Sequence, residues 1–151
     1  MSKILITGGA GFIGSYVCRQ LLEMGHQPVV YDAFVHYISP LKSILKDYTD
    51  LRFEGIADQV EFRRGDTRDK AHLRRVILET RPERILHLAA LPIADLSNQH
   101  SEEALTSILE GAVNVLEVLR DVDFVDRFVY ISSSMIYGDF KEIPAPEDHP
   151  K

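Results

Sequence analysis

Apolar residues along the chain alternate between short runs of strand length and longer stretches at helical period. Lys3-Ile4-Leu5-Ile6-Thr7 is a β-branched run that reads as the first strand, and residues 12–24 carry a helical apolar stripe closed by Gly25. Pro28 to Asp32 predicts the second strand, followed by a loop from Ala33 to Ile38 that holds two aromatics and His36. Ser39 then supplies a hydroxyl cap and Pro40 a first helical position, with Leu41, Ile44, Leu45 and Tyr48 on one face, so a helix is expected over 40–50. Leu51 to Gln59 reads as loop, and Val60 to Arg64 as the third strand. A helix from about Asp69 to Thr80 turns Leu73, Val76 and Ile77 inward and stops before Pro82. Arg84 to Ala89 has the continuous apolar character of a central strand covered on both faces. Ser101 to Arg120 is the longest helix, with Leu105, Ile108, Leu109, Ala112, Leu116 and Leu119 expected on its buried stripe. Phe128 to Ser132 is the fifth strand, and the proline-bearing stretch from Tyr137 to Lys151 is loop.

This alternation predicts an α/β protein built on a doubly wound parallel sheet of five strands, with helices on both faces and a ligand at the carboxyl ends of the strands. The 151 residues fit one domain.

The junction between the first strand and the first helix carries the chemistry. It reads Gly8-Gly9-Ala10-Gly11-Phe12-Ile13-Gly14, either as Gly9-x-Gly11-x-x-Gly14 or as Gly8-x-x-Gly11-x-x-Gly14. In both readings one glycine makes the tight turn, Gly11 lets a pyrophosphate approach the backbone, and Gly14 lets the helix lie close to the strand. The amides of Phe12 and Ile13 then face the anion at the helix N-terminus. A plain tight turn would also need glycine. The dinucleotide reading is favoured because the turn follows a strand, opens a helix, and is followed by Asp32 where a ribose-binding acid belongs. Asp32 accepts from ribose hydroxyls and repels a 2′-phosphate, and no Arg or Lys stands between Asp32 and Pro40 to offset that, so NAD is favoured over NADP.

Composition narrows the partners. A net charge of −6 argues against nucleic acid or an anionic membrane surface as a partner. Met1-Ser2-Lys3 leads at once into the first strand and no apolar run is long enough to span a bilayer, so a cytoplasmic protein is expected. Cys18 is the single cysteine and lies between Val17 and Leu21 on the first helix, which reads as a packed thiol. The six histidines are scattered without ligand spacing, so no metal is expected.

Taken together, Thr7 to Gly14, Asp32, Gly65-Asp66, His87-Leu88-Ala89-Ala90 and Ser132 to Gly138 resemble the extended short-chain dehydrogenase/reductases, in particular the NAD-dependent epimerase/dehydratase family acting on nucleotide sugars. The resemblance covers essentially the whole chain. It implies the NAD(P)-binding Rossmann fold, with Asp66 and Thr67 reaching the adenine, and Ala89 and Ala90 lining the nicotinamide half. It further implies that Ser133 is the hydroxyl beside the reacting oxygen of a nucleotide sugar, expected to be a UDP-sugar. Asp66 also has the simpler reading of a cap on the following helix, and Ser132 to Ser134 that of strand-end turn chemistry. His87 ends an apolar strand and reads as a packed, hydrogen-bonded side chain.

Three departures from the family pattern shape the expectation. Ser134 and Met135 stand where the family's dehydratases and decarboxylases place an acid, which disfavours dehydration and leaves epimerisation or simple oxidoreduction. Ile108 stands where an asparagine is frequent. The family's proton-transfer pair is a tyrosine and a lysine four residues later on a helix. Tyr137 and Lys141 have that spacing, but with Gly138-Asp139 between them and a proline-rich stretch behind they read as a decoy.

The expectation is therefore the NAD-binding portion, residues 1–151, of a longer nucleotide-sugar epimerase whose tyrosine–lysine pair and substrate domain lie elsewhere. In that reaction hydride passes to NAD and a keto-sugar is reduced on its other face. An exposed fifth strand and an unpartnered long helix would make self-association, as a homodimer, a hazard. The alternatives are a non-catalytic NAD-binding or interaction module, and an NAD-dependent reductase or dehydratase acting on another substrate.

Overall fold

The computed structural model describes residues 1–35, 48–91 and 94–150. In chain order its elements are β1 (Lys3–Thr7), α1 (Phe12–Glu23), β2 (Gln27–Asp32), α2 (Thr49–Arg52), β3 (Glu61–Arg64), α3 (Lys70–Thr80), β4 (Arg84–His87), α4 (Ala94–Gln99), α5 (Ser101–Ala104), α6 (Gly111–Arg120) and β5 (Arg127–Tyr130). The strands form one parallel sheet in the order β3-β2-β1-β4-β5, the doubly wound arrangement that the alternation of elements predicts.

Each face of the sheet has its own core. Leu5, Val29, Tyr31 and Ile85 pack against Leu73, Val76 and Ile77 of α3 and against Val115 and Val118 of α6. Ile4, Ile6 and Val30 point the other way, onto Cys18 of α1 and onto Phe53 and Val60. Covering on both sides is why the central strands read as unbroken apolar runs. The register then sets Thr7 between Tyr31 and His87, Asp32 opposite Arg64, and His87 opposite Tyr130, so the polar ends of five strands form one rim.

α1 ends at Glu23, and Gly25 at φ +75° lets the amides of Gly25 and His26 close on the carbonyls of Leu22 and Leu21. Asp69 caps α3 by accepting the His72 amide at 3.0 Å, and Arg81 ends it in the left-handed region just before Pro82.

Four expectations are corrected. The 101–120 stretch is not one regular helix: a π-helical segment, Leu105–Glu110, separates α5 from α6 and re-phases the side chains across it. Its inward row is Ser107, Gly111, Asn114, Val115 and Val118, whereas Leu105, Leu109 and Leu116 are about half exposed or more, at 60%, 57% and 48%. Ile108, Ala112 and Leu119 are only partly buried. The helix carries two apolar rows, and the turn after β3 selects the one with small residues: a Cβ on Gly111 would lie 2.6 Å from Thr67 Oγ1.

Secondly, the 51–59 stretch is partly helical, through α2 and a 3₁₀ turn at Ala57–Gln59. Phe53 anchors it, fully buried with its ring edge-on to Phe62 at 4.9 Å. Thirdly, β4 stops at His87 rather than Ala89, because after Leu88 the chain turns toward β1 and the Ala89 amide faces Thr7 Oγ1 at 3.4 Å. Fourthly, β5 ends at Tyr130 rather than Ser132. The helix expected over 40–50 and the loop at 36–38 with His36 lie mostly or wholly outside the described residues; 33–35 is irregular and 49–52 is α2.

Candidate dinucleotide-binding site

The turn between β1 and α1 is fixed by its glycines. Gly8 takes φ +70°, donates its amide to the Tyr31 carbonyl at 2.9 Å, and accepts the Gly11 amide at 3.2 Å. The sharp turn therefore belongs to Gly8, in the Gly8-x-x-Gly11-x-x-Gly14 reading. A Cβ on Gly8 would come within 2.8 Å of the Ala89 nitrogen, and one on Gly14 within 2.5 Å of the Gly9 carbonyl oxygen. Gly14 thus lets α1 touch the turn, and Gly8 lets the loop after β4 lie on it. A Cβ on Gly11 would meet only the Gly8 carbonyl, at 3.1 Å, and would otherwise protrude into the space in front of the helix. α1 starts at Phe12 with Gly11 as a cap that has no side chain to offer. The first-turn amides of Phe12 and Ile13 have no intrahelical acceptor and carry the positive end of the helix dipole.

Asp32 closes this turn from the next strand. Its Oδ2 accepts the Ala10 amide at 3.0 Å and its Oδ1 the Phe34 amide at 2.8 Å. A carboxylate has about four acceptor positions, so two remain for hydroxyl donors. At the other end of the same residue, Arg52 Nη1 donates to the Ala10 carbonyl at 3.0 Å. Arg19 of α1 in turn donates Nη2 to the carbonyls of Arg52 and Glu54 at 2.7 and 3.0 Å. Arg52 was not legible as part of this turn, since it lies 42 residues from Ala10 along the chain.

The turn after β3 holds Asp66 and Thr67. Tyr31 Oη donates to the Asp66 carbonyl at 2.9 Å, with His72 Nδ1 3.2 Å from the same hydroxyl. Burial, with Asp69 and Asp66 nearby, pushes the Tyr31 phenol well above its ordinary range, which keeps it a donor. Asn114 Nδ2 donates to the carbonyls of Thr67 and Arg68 at 3.0 and 3.2 Å. Asn114 was also missed; its signal was a lone amide within an apolar helical row. The Thr67 side chain is buried under α6. The Asp66 carboxylate is gripped by Arg68, whose amide and Nε reach Oδ1 at 2.9 and 3.0 Å and whose Nη2 reaches Oδ2 at 2.6 Å. Hydrogen bonding to that guanidinium holds the carboxyl below the usual range. The helix cap is Asp69, not Asp66.

At the end of β4, His87 is buried and its Nδ1 lies 2.6 Å from Thr7 Oγ1. Thr7 Oγ1 also accepts the Ala89 amide at 3.4 Å, and which of Thr7 and His87 donates in the bond between them follows the tautomer of the ring. His87 Nε2 has no partner among the described residues. The ring stacks on Tyr130 at 5.6 Å and 20°, and burial pulls its pKa down to about 4. His87 is the packed, hydrogen-bonded side chain that its strand position suggests. Ala89 is half-buried beside Gly8, and Ala90 is exposed.

Ser133 stands three residues beyond β5, exposed, with Oγ accepting the Met135 amide at 3.2 Å as the cap of a 3₁₀ turn over Ser134–Tyr137. Gly138 at φ +63° ends that turn, so Tyr137 and Lys141 share no helical face. Instead His149 lies between them, edge-on to the Tyr137 ring at 5.6 Å and accepting the Lys141 amide on Nε2 at 3.0 Å.

Elsewhere, Cys18 is a fully buried thiol, pushed up to about 12 by burial. Among the described residues no cluster of three or more His, Cys, Asp or Glu is placed to hold a metal, and no helix is long and apolar enough to cross a membrane.

A parallel sheet in this order, with a glycine cradle after β1 and an acid after β2, defines a dinucleotide-binding domain. A family model for GDP-mannose 4,6 dehydratase matches residues 5–151, and the chain belongs to this NAD-dependent epimerase/dehydratase family. It is 33% identical over 150 residues to UDP-glucose 4-epimerase of Mus musculus, covering 99% of this chain and 43% of the relative. The enzyme of the same name from Neisseria meningitidis serogroup B is also 33% identical over 150 residues, covering 99% and 42%. Among solved structures, UDP-glucose 4-epimerase from Stenotrophomonas maltophila, bound to NAD and formylated UDP-arabinopyranose, superposes with a TM-score of 0.83 at 27% identity, covering 99% of this chain and 42% of that one. The Bifidobacterium longum enzyme in complex with NAD+ and UDP gives the same TM-score, identity and coverage. The chain thus spans about two fifths of the length of the relatives it matches.

Proposed function

We propose that these residues form the NAD-binding part of an NAD-dependent nucleotide-sugar epimerase acting on a UDP-sugar. The observation that carries the cofactor reading is the paired geometry of Gly11 and Asp32: an open glycine at the head of α1, and beside it a carboxylate already bonded to the turn. The Phe12 and Ile13 amides would hold the pyrophosphate, with Gly14 allowing the close helix approach. Asp32 would take the ribose hydroxyls, the Asp66 side chain and the main chain of Thr67, whose side chain is buried under α6, the adenine, and Ala89 and Ala90 the nicotinamide side. NAD, when bound, supplies the reversible acceptor of two electrons and one hydrogen that an epimerisation through a ketone requires.

Ser133, at the rim beyond β5, would donate its hydroxyl to the sugar oxygen that becomes the carbonyl. Among the described residues its side-chain bond is a 3.2 Å acceptance from the Met135 amide, which leaves the hydroxyl hydrogen to donate. Ser134 and Met135 beside it carry no acid, which favours epimerisation over loss of water. The name of the matching family model points to a dehydratase and those of the relatives to epimerases; Ser134 and Met135, in place of an acid, support the epimerase reading.

A second reading, a non-catalytic dinucleotide-binding module, has its own support in Gly138, which keeps Tyr137 and Lys141 apart. Assay of the protein at the length of its relatives separates the two. Interconversion of a UDP-sugar and its C4 epimer, with kcat lowered at least tenfold by Ser133→Ala, is the expected result. Full activity in Ser133→Ala removes that residue from its role, and NAD binding without turnover of any UDP-sugar selects the second reading.

A further inference from the structure

The Asp66–Arg68 pair is more constrained than an ordinary surface ion pair. Both oxygens are engaged side-on: Oδ1 by the Arg68 amide and Nε, Oδ2 by Nη2 at 2.6 Å with Nε shared at 3.0 Å. Three donor hydrogens, with Nε–H shared evenly between the two oxygens, meet about four acceptor positions, so one position on the carboxylate stays open. The backbone beneath does not depend on this grip. Tyr31 bonds the Asp66 carbonyl, Asn114 bonds those of Thr67 and Arg68, and Thr67 is buried against Gly111. Arg68 therefore decides where the Asp66 side chain points without deciding whether the turn forms.

We propose that Arg68 is a positioning residue for base recognition, holding the Asp66 carboxylate as an oriented acceptor with one open lone pair that selects a dinucleotide whose base presents an amino group. This rests on the cofactor reading above, in which Asp66 meets the adenine. The 6-amino group of adenine donates to such an acceptor, whereas the 6-oxo group of hypoxanthine places a second acceptor against it. Without the guanidinium, the Asp66 carboxylate is held only through Oδ1 by the amide of residue 68 and can swing Oδ2 to meet the N1–H of hypoxanthine instead, so the preference fades. Lysine at position 68 would keep the charge but lose the two-point fork.

The test is calorimetric titration of the 151-residue chain with NAD and with nicotinamide hypoxanthine dinucleotide. The wild-type chain is expected to bind NAD at least tenfold more tightly. Arg68→Met should bring the two affinities within about threefold of each other, chiefly by losing NAD affinity, and Arg68→Lys should fall between. A merely structural role would weaken both ligands equally and leave the ratio unchanged. If Arg68→Met and Arg68→Lys keep the wild-type ratio while Asp66→Asn abolishes it, the role of Arg68 is overturned and the adenine reading stands. A wild-type chain that binds both ligands alike overturns the adenine reading, and this inference with it.

Discussion

Ala10 donates its amide to Asp32 Oδ2 at 3.0 Å, so the turn after β1 and the end of β2 are one hydrogen-bonded unit although the residues lie 22 apart in sequence. The same carboxylate also holds the Phe34 amide. Asp32→Ala leaves both amides without a partner and should destabilise the chain by about 1–3 kcal/mol. Asp32→Asn, which keeps one acceptor, should lose less. Urea unfolding of the three proteins orders them; equal midpoints would mean that the carboxylate does not hold the turn.

His87 makes stability depend on pH in a stated direction. Its folded pKa is about 4 against an ordinary value of 6.5, so between those limits the unfolded chain binds more protons than the folded one. Stability is fully present above pH 6.5 and is lost as pH falls toward 4, by up to about 3 kcal/mol. His87→Gln does not titrate, and its stability profile should lack this slope. An equal slope in the variant would assign the effect to other groups.

Gly14 allows α1 to touch the turn, since a Cβ there would lie 2.5 Å from a backbone carbonyl oxygen. Gly14→Ala should cost about 1–3 kcal/mol through displaced backbone and weaken NAD binding further. Gly25→Ala is the control, because nothing lies within 4 Å of a Cβ there; it carries only the strain of φ +75°. Thermal unfolding and NAD titration of both variants compare collision with strain. Unimpaired NAD binding by Gly14→Ala would show that the helix can move away without consequence.

Asn114 ties α6 to the turn after β3 through two carbonyls. Asn114→Leu matches the apolar row around it but leaves the buried Thr67 carbonyl and the part-buried Arg68 carbonyl without their donor, and should cost about 1–3 kcal/mol. Amide hydrogen exchange should quicken at 66–69 before it does elsewhere. Uniform exchange rates would mean that Tyr31 alone suffices to hold that turn.

The parts of the fold legible in the sequence are those set by local periodicity. β1, β2 and β3, α1 and α3 fall within a residue or so of expectation, because runs such as Ile4-Leu5-Ile6 and Leu73-Val76-Ile77 have one apolar face or none exposed. The 101–120 stretch failed where two apolar rows compete, and the choice lay with Thr67, forty-four residues before Gly111 and unseen from the helix itself. β4 ran short for a similar reason: the Thr7 side chain, not the apolar run, draws the Ala89 amide out of the ladder. In the site, Gly8, Gly11, Gly14 and Asp32 were legible as a motif whose spacing is local. The cations that close it were not. Arg52 reaches Ala10 from 42 residues away, and Arg68 turns its guanidinium back onto Asp66 rather than out to solvent, which no pattern of charges along the chain records.

The central claim is that the glycine turn and Asp32 make a site for NAD. Calorimetric titration of the 151-residue chain with NAD and NADP, on wild type and Asp32→Ala, tests it most directly. Saturable NAD binding, at least tenfold tighter than NADP and weakened at least tenfold by Asp32→Ala, is the predicted result. A chain with the circular dichroism of an α/β fold that binds NADP as tightly as NAD, or keeps its NAD affinity in Asp32→Ala, would contradict it.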